Sequence, residues 1–390
     1  MSLPPNAHTR RQFLRTTTLA TGGLATGVLA GCQKSEDAAG IWPGTDRQLG
    51  LVIGAGRFED GDKTTHILTL VDLDADATNL RWFGLDFFGH GVVEHPLQRN
   101  KAMVFEKKGP GACEVDLIAR EVLRPVTTKK SRHFYGHGAY SPDASLLYCT
   151  ESDLENDYAG VVAVRDAKTM EVLGEFPSYG SSPHDCVLVD DGKTMVITNA
   201  GGEIGSDTRP SVTYVDVANQ SLQEKLEFDS DQVSAGHLAI SERGDLVCVG
   251  APRDGLADKA AKPGQITIRT LGGSFRTMQE PREVTDRMLA ETLSVAIHEP
   301  SRSVLATNPA GNIATLWDLD SGSYLQHFDL EYPRGAAVTL DGSSFALSYG
   351  RGRSDLVRID PKTHEVIADS TRTNTGCGGS HLFLYDPPSA

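Results

Sequence analysis

The stretch His137–Ser178, HGAYSPDASLLYCTESDLENDYAGVVAVRDAKTMEVLGEFPS, decides the fold. It holds four short β-rich runs, HGAYSPD, LLYCTES, GVVAVRDA and EVLGEFPS, punctuated by turn signals at Asp143, Gly160 and the Asp166–Met170 stretch. None of these runs is long enough to bury an apolar face alone, so neighbouring units must stack on it. The opening heptad recurs as HGVVEHP at 90, HDCVLVD at 184, HLAISER at 237, SVAIHEP at 294, GAAVTLD at 335 and HLFLYDP at 381. Successive openings are 47, 47, 53, 57, 41 and 46 residues apart, the period of a β-propeller blade. The third unit repeats the four-run pattern as HDCVLVD, TMVITNA, SVTYVDV and EKLEF, and the fifth as SVAIHE, SVLATNP, IATLWDLD and YLQHFDL.

Six units are complete from residue 90 onward, whereas the seventh, opened by His381, supplies a single strand. Its three missing strands are available as LGLVIGAGRF at 49, HILTLVDLD at 66 and NLRWFGLDF at 79. Pairing these with the last strand closes the circle and leaves no free sheet edge. The reading is an all-β, seven-bladed β-propeller over residues 46–390, closed by a blade shared between the N-terminal and C-terminal parts of the chain.

Residues 1–31 read as an address. Thr9–Arg15, TRRQFLR, carries the twin-arginine pattern, and Thr16–Ala30 is a weakly apolar run. Leu29-Ala30-Gly31-Cys32 matches a lipobox, which predicts cleavage before Cys32, a lipid anchor on its thiol and a short tether over residues 32–45. The expected location is the periplasm, with membrane contact only through the anchor. Removal of residues 1–31 takes three arginines and no acid, moving the net charge from −15 to −18. A surface of that sign disfavours nucleic acid and anionic lipid and favours cations or basic partners. The remaining cysteines, Cys113, Cys149, Cys186, Cys248 and Cys377, have no metal-binding spacing and read as buried apolar residues; Cys377, in the Gly-rich TGCGGSH segment, is the one candidate soft ligand.

The first position of each unit carries the chemical signal. It is histidine in five of seven: His90, His137, His184, His237 and His381, with Ser294 and Gly335 in the other two places. The innermost strand of a propeller blade lines the central channel, so these side chains form an arc at one channel mouth, open on the side of Ser294 and Gly335. Neutral imidazole ligates iron, copper and zinc alike, and convergence of five imidazoles has little purpose without an ion. The alternative is that the histidines donate to nearby carbonyls and stiffen the funnel. In Arg132-His133-Phe134-Tyr135-Gly136-His137, the residues Arg132, His133 and Tyr135 are candidate supports, Tyr135 as an outer donor, a phenolate ligand or a packing ring. Glu151 and Asp153, in the acidic ESDLEND segment, could orient imidazoles or add oxygen ligands, a mixture that suits iron. His95 and His298 fall in turns on the opposite face.

Taken together, the twin-arginine segment with its lipobox, GHGVVEHP, RHFYGHGAYSPD, the TES-D loop, SPHD, GHLAI and the final HL resemble an uncharacterised family of exported bacterial seven-bladed propellers. Members of that family tend to be encoded beside imelysin-type iron-uptake lipoproteins and di-haem oxidoreductases. The resemblance covers almost the whole chain, with RHFYGHG its most specific motif. It implies a periplasmic role in iron acquisition, with an imelysin-type protein or a di-haem oxidoreductase as partner. The functional expectation is a metal-binding propeller that holds iron, with copper or zinc as alternatives. A metal-dependent oxidoreductase at the same site and a metal-free interaction platform are the competing readings.

Overall fold

A computed structural model describes residues 48–60, 63–379 and 381–388; the export segment, Cys32 and the tether lie outside them. In the second unit the strands are Arg132–Tyr140, Leu146–Asp153, Ala159–Asp166 and Val172–Ser181, so all four runs read from the sequence form strands. They pair in antiparallel order as one sheet. The turns are set by short polar side chains that bond their own backbone. Asp166 Oδ1 accepts the Lys168 and Thr169 N–H groups at 2.9 and 2.7 Å, and Asp116, Asp216, Asp318 and Asp360 make the same kind of turn in other units.

Seven sheets result among the described residues. The closing sheet places Leu51–Asp60 between Lys63–Asp72 and Leu382–Tyr385, with Leu80–Leu85 on the outside. Leu51 stands opposite Tyr385 and Gly54 opposite Leu382, so the shared blade read from the sequence is the blade that closes the ring. Each inter-blade gap holds its own apolar cluster. Ile53, Leu68, Val104 and Val115 fill the gap between the seventh and first blades, and Val249, Ile266, Val304 and Trp317 that between the fourth and fifth. Burial of each such large side chain contributes about 1.5–3 kcal/mol, so the core is a circle of seven wedges rather than one central mass.

The sixth unit departs from the expected four strands. It has three, Ala336–Val338, Phe345–Tyr349 and Asp355–Ile359, and its outer segment makes only isolated bridges, Ile359 with Val366 and Leu356 with Arg372. The reason lies next door. Arg372 is drawn toward the closing blade, where its guanidinium donates to the carbonyls of Ala75 at 2.5 Å and Leu73 at 3.3 Å, and a straight outer strand is given up for that link.

Three of the innermost strands are irregular where their histidines stand. Register shifts fall between Gly89 and Val92, between Phe134 and Gly138, and between Pro183 and Cys186, bracketing His90, His137 and His184. A bulge turns a side chain out of the regular pleat, and here it re-aims each imidazole. In the fourth unit His237 immediately precedes the strand Leu238–Ile240, and its carbonyl accepts the Val249 N–H at 2.9 Å.

Candidate metal centre

The five imidazoles converge. His90, His137, His184 and His237 each offer one ring nitrogen within 4.8 Å of the others, and all four side chains are buried. His381, also buried, brings its Nε2 to 2.7 Å from Nε2 of His237. Nε2 of His90 lies 3.2 Å from that of His184 and 3.1 Å from that of His237. Ligands about 2.0–2.1 Å from one ion, at tetrahedral or octahedral angles, stand roughly 2.9–3.4 Å apart, so most of these separations fit nitrogens that share an ion.

Proton accounting points the same way. Nδ1 of His237 donates to the Leu293 carbonyl at 2.5 Å, which leaves its Nε2 with a lone pair facing His90 and His381. Nδ1 of His137 lies 3.1 Å from Asp185 Oδ1, and its Nε2 is buried with no hydrogen-bond partner. A buried acceptor without a partner costs about 1–3 kcal/mol. A cation at the focus would satisfy the His137 Nε2, and a buried four-histidine group of this kind could hold a transition metal ion.

Asp185 is the carboxylate that sequence reasoning missed. Its Oδ1 orients His137 while its Oδ2 accepts the Leu238 N–H at 3.1 Å, tying the third blade to the fourth beside the ring. The signal was the dipeptide His184-Asp185: on the bulged strand, consecutive side chains serve different imidazoles. Glu151 and Asp153, expected to support the arc, are committed elsewhere. Glu151, only 1% exposed, pairs with Arg165 at 3.2 Å and Arg132 at 3.8 Å, and Asp153 pairs with Arg132 at 3.3 Å. Arg132 therefore serves the acidic hairpin and Glu175 rather than the imidazoles. Replacing Glu151 by alanine strands Arg165 in the interior and is expected to cost about 3–5 kcal/mol by denaturant unfolding, with metal stoichiometry unchanged.

Tyr135 packs its ring 5.0 Å from that of His184. Burial holds its hydroxyl above the usual range, and the neighbouring Lys108 offsets this only in part. His133 stands opposite Ser152 across the sheet and is not among the clustered imidazoles. Cys377 is buried against Thr69, its Sγ 3.2 Å from Thr69 Oγ1, and burial pushes its thiol up to about 11; it takes no part in the centre. His95 and His298 cap turns away from the arc, as their positions predicted: Nδ1 of His95 accepts the Gln98 N–H, and His298 bonds Ser301 and the Gly342 carbonyl.

The two places without histidine bind blade to blade. The Ser294 hydroxyl accepts the Ala336 N–H at 3.1 Å, and a Cβ on Gly335 would lie 2.7 Å from Leu382. At Gly335 the backbone of His381 and Leu382 leaves no room for a side chain, so no histidine can stand there.

All five imidazoles are held below the usual histidine range, chiefly by burial. Lys107 and the neighbouring rings add to this, while Asp185 opposes it at His137. Above about pH 6.5 the histidines are neutral in both the folded and the unfolded chain; below it the unfolded chain takes up protons that the folded one refuses. Stability of chelator-treated protein is therefore expected to fall as pH drops from about 6.5, by up to about 1.4 kcal/mol per pH unit for each imidazole. Thermal melts from about pH 8 down to 5 check this, and a His137→Ala/His184→Ala double variant should show the shallower slope.

A closed seven-bladed ring with imidazoles from five blades gathered at one channel mouth defines a propeller with a candidate transition-metal centre. The chain belongs to a family of proteins of unknown function, DUF1513, whose model matches residues 85–375 and so spans His90, His137, His184 and His237. Among solved structures, hydrazine synthase from Kuenenia stuttgartiensis is similar over 87% of this chain and 100% of that one, with a TM-score of 0.58 and 14% identity, a likeness of fold. No curated protein matches the chain.

Proposed function

We propose that the protein is an exported, lipid-anchored, periplasm-facing propeller that binds one transition metal ion, iron, at the histidine arc and serves iron acquisition. The observation that carries the reading is the buried, partnerless Nε2 of His137, set among converging ring nitrogens. Because Glu151 and Asp153 are held by arginines, the clustered donors are all imidazole, which favours ferrous over ferric iron. His90, His137, His184 and His237 would hold the ion, with His381 as a fifth donor. Iron and the partner class, an imelysin-type protein or a di-haem oxidoreductase, rest on the resemblance carried by RHFYGHG and the other quoted motifs. A metal-dependent oxidoreductase at the same site is the second reading.

Elemental analysis of protein purified after native export, with X-ray absorption at the iron, copper and zinc edges, tests the proposal. About one equivalent of iron in an all-nitrogen or mixed nitrogen and oxygen shell is expected. Absence of stoichiometric metal overturns the reading, and copper or zinc in iron's place overturns the role in iron acquisition. A visible band that responds to ascorbate would move the assignment to the redox enzyme.

A further inference from the structure

The two blades that lack a ring histidine present charged residues at the mouth instead. Glu291 lies three residues before Ser294, and Arg334 immediately precedes Gly335. Facing them is the connection between the strands Lys101–Glu106 and Gly111–Asp116 of the first blade. Glu106 is paired with Gly89, which sets that connection level with His90. From it Lys107 spans the channel mouth to the fifth blade, its Nζ 3.6 Å from Glu291 Oε1. Lys107 is also the charged neighbour shared by His90, His137, His184 and His381, and it feels Lys108 and Arg334 as like charges. Arg334 is fixed over the open side by donating its Nε–H to the Gly379 carbonyl at 2.9 Å.

Charge balance makes this collar informative. Near Lys107, Lys108 and Arg334 stand Glu291, Asp254, which also pairs with Lys259, and the Asp185 carboxylate 3.1 Å from His137. A divalent ion on neutral imidazoles adds two positive charges that none of these groups cancels, in a protein whose net charge is otherwise −15. Buried charge of that kind requires a counter-ion. Lys107 has the donors to receive one, since its ammonium carries three N–H groups and its Nζ stands 3.6 Å from Glu291 Oε1. The resident Glu291 also shows which oxyanion the geometry accepts.

We propose that the channel mouth binds a small carboxylate anion, held by Lys107 and Arg334 on the open side of the imidazole arc, where it is counter-ion and external ligand to the bound metal. This rests on the metal reading above. The site would thus take its ion together with a carboxylate, and a small metal carboxylate chelate is the form of cargo that fits it.

The test uses full-length protein loaded with cobalt(II), with metal content measured after desalting and the visible ligand-field bands followed at constant ionic strength. Acetate is expected to shift the bands saturably. Lys107→Gln should weaken acetate binding about tenfold or more with cobalt content unchanged, and Glu291→Gln should tighten it. Protein that holds one cobalt but ignores acetate, or a Lys107→Gln variant that binds acetate as the parent does, overturns the carboxylate site and leaves the metal centre standing. A response to phosphate and none to acetate overturns the carboxylate assignment. Failure to take up cobalt or iron sinks the metal reading, and this one with it.

Discussion

Replacing His237 by alanine is expected to lower bound metal from about one equivalent to below about a tenth after desalting, a larger effect than loss of an outer partner, which typically costs 10–100-fold in affinity. His237 is the hub of the arc. Its Nδ1–H is committed to the Leu293 carbonyl, so its Nε2 is an acceptor whatever the other tautomers are, and it lies within 3.1 Å of His90 and 2.7 Å of His381. Asp185→Asn offers the contrast. An amide can still meet His137 but stabilises its donating tautomer less, so affinity should fall within that 10–100-fold range while stoichiometry survives at saturating metal. Elemental analysis and competition with a chromophoric chelator read both outcomes. Unchanged metal content in His237→Ala would remove the centre from the arc.

Gly136→Ala is expected to destabilise the protein by about 2–4 kcal/mol and to empty the site, because two costs fall on one atom. Gly136 has φ +119°, in the region that L side chains rarely adopt, and a Cβ there would sit 2.3 Å from Cδ2 of His90. Relief is blocked from the other side: Gly91 lies against the Gly136 carbonyl and His137 Nδ1, with room for no Cβ of its own. Denaturant unfolding and metal analysis together check the prediction. Gly174→Ala is the control, since its Cβ meets nothing within 4 Å, and it should leave both measurements unchanged.

The legibility of this chain follows from what is periodic in it. Blade count, the closing blade and the position of the five histidines all repeat at a nearly constant period, and a repeat is visible without any knowledge of contacts. The residues that sequence reasoning misplaced act across blades. Glu151 and Asp153 looked available because they stand in an acidic connection on the expected face. Arg165, one strand further along the same sheet, and Arg132, opposite Asp153 in register, claim them. Asp185 was missed for the opposite reason. A strict two-residue alternation would point it away from its neighbour His184, and the bulge between Pro183 and Cys186 that brings it to His137 leaves no mark on the hydrophobic pattern. Lys107 and Glu291 are 184 positions apart and meet only because the ring brings the first blade across from the fifth.

The pairing of Leu51–Asp60 with Leu382–Tyr385 has a consequence for synthesis. His381 stands next to that last strand, and its partner His237 lies 144 residues earlier. While residues near 381 are still inside the ribosome, the early blades can stack but the circle is open and the fifth imidazole has not emerged. The full set of donors therefore exists only in a finished, closed molecule. Premature loading by whatever ion is abundant during translation would meet a partial set of ligands, and an ion bound afterwards would act as a rivet between blades, stabilising the closed ring by about 4 kcal/mol when present at a thousand times its dissociation constant.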